Sequence, residues 1–443
     1  MDSNLKLEAD LLIFADWIIP VVPQNTVLEN AAIAIKEGKI IAVLNHAEAR
    51  ESINAKKVEI LSNHVLIPGL INAHGHIPMA LFRGIADDIP LKQWLEERIW
   101  PLEGRFVGPE FVKQGASLAM AEMISSGTTC FADMYFHPDE VAKVTLNAGI
   151  RTQLASPIMD FPTAWAQDPD EYIAKATDLH DRYRNSEQVF TAFGPHAPYS
   201  VSDGPLENLR VLADELDIPI HMHVHETAQE VADAQKQEGR RPIQRLAELG
   251  LVSPRLLCVH ATQLIDEEIT LLSELGASVV HCPESNLKLA SGFCEVAKLL
   301  DAGVNVALGT DGGASNNDLD MFGELHTAAI VAKAVSGNAS AVPAHKALEL
   351  ATINGAKAMG LDDKIGSLEL GKYADITAID LDYLNTLPMN NPVSHTVYAV
   401  NSRQVSHVWC HGKAVLQAGE LKTIDTALIR ENAKRWQRKF VGV

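Results

Sequence analysis

Leu66-Ile67-Pro68-Gly69-Leu70-Ile71-Asn72-Ala73-His74-Gly75-His76 is the stretch on which the reading of this chain turns. It opens as an apolar run expected to form a buried strand over 66–73, and it closes on two histidines two residues apart. Side chains alternate with period 2 along an extended segment, so both imidazoles face the same side. Imidazole is the commonest metal-ligating side chain, and Gly75 between the two leaves room for close approach.

Downstream, apolar and β-branched runs alternate with stretches of helical spacing. Counting 66–73, eight such runs occur, at 66–73, 128–134, 150–158, 190–195, 218–225, 256–260, 278–281 and 304–310. Gly127, Gly149, Gly276 and Gly303 stand just before strands, where helix C-caps belong. Eight strand–helix units over 66–364 predict a (β/α)₈ barrel of the TIM type. A doubly wound open sheet fits less well, because no G-x-G-x-x-G follows the first strand.

The flanks have another texture. Residues 1–65 read as short strands with a hairpin at Glu37-Gly38. Residues 365–443 return to strands and turns, at 366–376 and 408–413, before an amphipathic helix over 424–440. Neither flank is large enough to be stable alone, so the two are expected to pair into one small β-sandwich domain.

Composition narrows the function. Of 443 residues, 47% are hydrophobic and 21% charged, and the net charge is −20. An acidic surface argues against nucleic acid or an anionic membrane as partner. The apolar run from Leu11 to Val22 is broken by Asp16 and Pro20 and is too short for a bilayer. Met1-Asp2-Ser3-Asn4 lacks the basic start of a signal peptide. Cys130, Cys258, Cys282, Cys294 and Cys410 are scattered without a C-x-x-C, which suits a reducing, cytoplasmic setting.

Active sites of such barrels lie at the C-terminal strand ends. Those ends carry His74 and His76, then His196, then His221, His223, His225 and Glu226, then His260, then His281, then Asp311. Buried polar groups without partners cost about 1–3 kcal/mol each, so such a rim needs a shared ligand. Three imidazoles, a carboxylate and an open position make a catalytic metal pattern. His74, His76, one strand-five histidine and Asp311 form the candidate set. His221, His223 and His225 share a face by parity, so spacing does not choose among them. His221 reads better as support or core, His281 as pocket lining or packing. His46, His64, His137, His180, His326 and His345 read as surface, packing or helix residues.

These motifs resemble the amidohydrolase superfamily, in its branch of purine-type deaminases and triazine hydrolases. The resemblance covers nearly the whole chain. It rests on Pro68 to His76, His223-Val224-His225-Glu226-Thr227, Gly309-Thr310-Asp311 and Gly366 to Asp375. It implies His223 as the third ligand, Glu226 as acid/base, and His260 as the group that holds or polarises the hydrolytic water. Two-metal members bridge their ions with a modified lysine ending strand four. This chain has His196 there, so one divalent ion is expected, zinc first.

Trp100-Pro101-Leu102-Glu103, Gly194 to Tyr199 and Asp311 to Asn317 are similar to the nucleoside deaminases of that branch. They imply that Glu103 holds the ribose hydroxyls and that His196, Glu226 and Asp311 contact the nucleoside. The implied reaction is hydrolytic deamination of 5′-methylthioadenosine, and by extension S-adenosylhomocysteine or adenosine, to the inosine analogue and ammonia. The alternatives are a guanine deaminase and an aminotriazine or chlorotriazine hydrolase. The expected partner is a small purine nucleoside, with homo-oligomerisation left open. Near the end of strand three, where some relatives place an arginine suited to an amino-acid carboxylate, this chain has Ser156-Pro157. Arg83 and Arg151 remain as candidates to meet such a carboxylate.

Overall fold

A computed structural model describes residues 6–440; the Met1–Asn4 stretch lies outside them. The chain ends meet first. Strands β1 (Leu7–Ile18), β2 (Leu28–Lys36), β3 (Lys39–Asn45) and β4 (Ile53–Pro68) form half of an eight-stranded mixed sheet. Strands β13 (Ile376–Asp380), β14 (Val405–Cys410), β15 (Lys413–Gln417) and β16 (Glu420–Leu421) form the other half. Antiparallel pairing of β4 with β13 joins them, in register Leu66↔Ala378.

The two halves share one apolar layer. Ile13, Ile33, Ile35 and Ile40 pack in the same cluster as Ile376, Ala378 and Trp409. The expected hairpin between β2 and β3 is present, with Glu37 at φ 50 and Gly38 at φ 76. A side chain at Gly38 would run into the His411 ring, whose Cδ2 lies 1.8 Å from the Cβ position. Only glycine fits there.

Two expected strands come out differently. The run over 66–73 is not continuous: β4 stays in the small sheet to Pro68, and barrel strand β5 is Leu70–Asn72. Proline offers no N–H to extend a ladder. At Gly69 a Cβ would lie 2.1 Å from Thr129 Oγ1, so the chain can cross between sheets only at a glycine. A domain boundary between 65 and 66 therefore falls inside β4. The run 366–376 is mostly turns, because Gly366 (φ 88) and Gly371 (φ 87) break the extended chain. It still binds β3 through Ile40 N–H to Lys372 O at 2.9 Å and the turn before β3 through Ala374 N–H to Gly38 O at 2.8 Å.

The barrel strands after β5 are β6 (Thr128–Asp133), β7 (Arg151–Ile158), β8 (Val189–Pro195), β9 (Ile220–Val224), β10 (Leu256–His260), β11 (Ser278–His281) and β12 (Asn305–Leu308). They run parallel in sequence order. Ala73 N–H donates to Leu308 O at 2.8 Å, which brings the first strand's end against the last. The C-terminal helix Thr426–Phe440 packs Trp436 on Phe111 (ring centroids 5.2 Å) and Phe440 on Phe82 (5.4 Å). It thereby buttresses the turn Ile77–Phe82 that follows His76. No helix among the described residues is long and apolar enough to cross a membrane.

Arg151 starts β7, at the end of the barrel remote from the strand C-termini. It is buried, donates from Nε to Asp375 Oδ2 at 2.8 Å and stacks on Tyr373. It ties the barrel to the 366–375 turns and cannot serve a substrate carboxylate. Removing one partner of a buried ion pair costs roughly 3–5 kcal/mol. Asp375→Ala is therefore expected to lower Tm clearly, and an unchanged melting curve by circular dichroism would refute this role.

Candidate active site

The strand ends converge as the barrel closes. His74 Nε2 lies 3.2 Å from His223 Nε2 and 3.5 Å from Asp311 Oδ1. His76 Nε2 lies 3.4 Å from the same Asp311 oxygen. Ligand-capable atoms of His74, His76 and Asp311 are all within 4.8 Å of one another, as are those of His74, His223 and His260.

Hydrogen bonds behind the rings set their tautomers. His76 Nδ1 is 2.6 Å from Met134 O, and His223 Nδ1 is 2.8 Å from His196 O. A carbonyl can only accept, so these nitrogens carry the protons and Nε2 is a bare lone pair. His74 Nδ1 is 2.8 Å from His221 Nε2; with His74 donating, its Nε2 is bare too. Burial pushes His74 down to about 4, with His223 also well below its ordinary value. Burial alone would raise Asp311, but the His74 contact and the imidazoles of His260 and His76 hold it well below the carboxylate range. Neutral imidazoles aiming lone pairs at one point beside an ionised carboxylate repel one another unless a cation sits between them. The donor set fits a divalent metal.

The backbone at these positions is shaped for the task. Asp311 (φ 61), His260 (φ 73) and His225 (φ 55) are all left-handed, a conformation costly outside glycine and common at functional sites. The bend at His225 resolves the parity ambiguity. Its ring swings outward, accepting from Ile243 N–H at 3.3 Å and lying 3.5 Å from Glu268. His221 stays inward, as support for His74.

Glu226 follows that bend. Its Oε2 faces His260 Nε2 at 3.8 Å, and burial, then Asp311, push it up to about 8. His260 Nδ1 is held by Asn286 Oδ1 at 2.9 Å. Asp311 Oδ2 accepts from Ser285 Oγ at 2.6 Å and Oδ1 from Gly312 N–H at 2.8 Å. Glu103, on the helix Trp100–Phe106, accepts from Tyr135 OH at 2.8 Å, and burial pushes it up to about 7. His196 bonds Ser200 Oγ at 3.1 Å, its ring 5.1 Å from that of His223. Glu226 opens onto a cleft of about 1340 Å³ walled by Leu91, Leu95, Trp100 and Tyr199.

Sequence reasoning missed Ser285, Asn286 and Tyr135. The first two directly follow the polar end of β11, a usable signal. His281 lies behind Asn286, 3.5 Å from its Nδ2, and is buried. His46, His64, His137, His180, His326 and His345 join no metal-ligating group among the described residues.

Residues 65–415 match the model of the amidohydrolase family. The chain belongs to the amidohydrolase family. It is 50% identical over 431 residues to a 5-methylthioadenosine/S-adenosylhomocysteine deaminase of Teredinibacter turnerae, covering 97% of this chain and 98% of that one. It is similar in structure to an adenosine deaminase of Xanthomonas campestris with bound zinc, at 50% identity and TM-score 0.98, covering 99% and 100% of the two chains. It is also similar to an atrazine chlorohydrolase of Arthrobacter aurescens complexed with zinc, at 25% identity and TM-score 0.90, covering 96% and 99%. This amidohydrolase thus has the eight-stranded barrel and small β domain read from its sequence, and it is an enzyme with a metal-compatible site.

Proposed function

We propose that this amidohydrolase deaminates 5′-methylthioadenosine hydrolytically, giving the inosine analogue and ammonia. The observation that carries the reading is Glu226 facing His260 beside two ligand groups that share His74, one with His76 and Asp311 and one with His223 and His260, in a cleft shared with an apolar wall. The names of its half-identical relatives support it. In this reading His74, His76, His223 and Asp311 hold one divalent ion, zinc first. When bound, the ion supplies Lewis acidity that brings the pKa of water to about 7.

The chain's own residues do the rest. Glu226 takes a proton from the attacking water and delivers it to ring atom N1. Its raised pKa suits a group that must carry a proton near neutral pH. His260, fixed by Asn286, and Asp311, fixed by Ser285 and Gly312, face the oxygen as the C6–O bond forms. Glu226 then passes the remaining hydroxyl proton to the amine, the C6–N bond breaks, ammonia leaves and C6 keeps a carbonyl oxygen. Glu103 accepts hydrogen bonds from the ribose hydroxyls, and His196 contacts the nucleoside. The partner is a small purine nucleoside, with neither nucleic acid nor membrane required, and the setting cytoplasmic.

The cleft also supports a choice among nucleosides. Its cations already have carboxylate partners. Arg240 pairs with Glu248 at 2.5 Å, Arg245 with Asp203 at 2.6 Å, and Lys92 lies 4.0 Å from Glu96. Arg83 pairs with Glu122. Asp160 and Asp233 line the same cleft, with no cation paired to either among the described residues. Among the described residues a homocysteine carboxylate meets no cleft cation without a carboxylate within 4.0 Å, whereas a methylthio group meets Leu91, Leu95 and Trp100.

We expect kcat/KM for methylthioadenosine to exceed that for S-adenosylhomocysteine by roughly tenfold or more. Glu103→Gln should narrow the preference for nucleosides over free adenine, because charged acceptors make the stronger bonds. Steady-state kinetics on a panel that adds adenosine, guanine and a chlorotriazine tests both. A preference for S-adenosylhomocysteine refutes the cleft argument. An unchanged nucleoside-to-base ratio removes Glu103 from the ribose site, and turnover of guanine or the chlorotriazine alone overturns the reading.

A further inference from the structure

We infer that Glu230 is the positioning residue that aims Glu226 at its proton-transfer partners. The inference rests on the acid/base reading of Glu226. Among the described residues nothing hydrogen-bonds the Glu226 carboxylate, and His260 Nε2 stands 3.8 Å from its Oε2. Its aim is therefore set by its backbone.

That backbone is held from both sides. Glu230 Oε2 accepts from Glu226 N–H at 2.7 Å, and Oε1 accepts from His225 N–H at 3.0 Å. Thr262 Oγ1 donates to Glu226 O at 2.7 Å. The left-handed bend at His225 makes the two successive N–H groups converge, forming a concave anion cradle. Glu230 supplies both acceptor oxygens from within the chain.

Helix capping does not explain this arrangement. Thr227 is the N-cap of the helix Ala228–Glu238, and its Oγ1 accepts from Glu230 N–H at 3.2 Å. In an ordinary capping box the carboxylate at the third helical position returns to the N-cap's own N–H. Here it passes Thr227 and binds the two residues before it. The bonds therefore fix the catalytic turn, while Thr227 caps the helix.

The test is a double-mutant cycle. In Glu230→Gln the amide presents an NH₂ to one of the two N–H groups, so one bond becomes a clash of donors. Small misplacement of a catalytic group costs up to about 10²-fold. We expect kcat to fall about tenfold to a hundredfold, with KM within about threefold and metal content unchanged. In a Glu226→Gln background the same substitution should have almost no further effect, since the group it aims is gone.

Glu230→Asp keeps the charge but reaches only one amide. It should lose less, and it carries the test if the glutamine variant does not fold. Thr227→Ala removes the cap alone and should lower Tm with kcat within about twofold.

Wild-type kcat in both Glu230 variants overturns the inference. So does an equal loss in the Glu226→Gln background, or a Thr227→Ala loss matching that of Glu230→Gln. If Glu226→Gln itself retains turnover, the acid/base reading falls and this inference with it. An inactive Glu226→Gln beside a fully active Glu230→Gln removes Glu230 alone.

Discussion

Glu226→Gln is expected to keep its fold and its metal and to lose roughly 10²–10⁴-fold in kcat. The amide has the shape of the carboxylate but cannot accept and release the proton that must move from water to N1. Nothing else in the site replaces it. His260 commits Nδ1 to Asn286, and burial lowers its basicity. Asp311 is held ionised well below the range in which it could deliver a proton. Glu226 is pushed up to about 8, first by burial and then by the Asp311 charge, and it is the raised carboxyl that faces His260. Steady-state kinetics with metal analysis and circular dichroism on the same sample decide the point. Turnover near wild type, with metal and fold retained, would remove Glu226 from the reaction.

Much of this site was legible because barrel chemistry collects at strand ends. His74, His76 and Asp311 could be placed together once the strand–helix rhythm was counted. Period 2 could not choose among His221, His223 and His225, because it holds only while the chain stays extended. The left-handed bend at His225 takes that ring out of the site, and no sequence rule announces a positive φ at a histidine. The same limit hid the break at Pro68-Gly69, where one apolar run serves two sheets. Tyr135 comes from the loop after β6, and Ser285 and Asn286 from the short helix Pro283–Lys288; only the closed barrel brings them against Glu103, Asp311 and His260. Their partners are set by tertiary geometry, and local pattern carries no trace of the pairing.

Removal of metal is expected to abolish turnover, and one equivalent of a divalent ion per chain should restore it. The Nε2 atoms of His74, His76 and His223 face inward as lone pairs, and without an ion His74 and His223 set acceptor against acceptor at 3.2 Å. An ion that binds the folded chain and not the unfolded one adds about 4 kcal/mol at a thousandfold excess over Kd. Chelation should therefore lower Tm as well as activity, and the two losses should reverse together on titration. Because the ligands must be unprotonated, affinity should weaken as pH falls. A stoichiometry of one is the sharper claim. Strand β8 ends at Pro195 and is followed by His196, whose Nδ1 is bonded to Ser200, so no lysine stands where a second ion would need its bridge. The donors that converge are one carboxylate and the imidazoles around it, enough for a single ion with a position left for water. Metal analysis of purified protein, followed by chelation and stepwise restoration, reads the number directly. Two equivalents, both required for full activity, would show that a second set of ligands operates and that the one-metal reading of this rim is wrong.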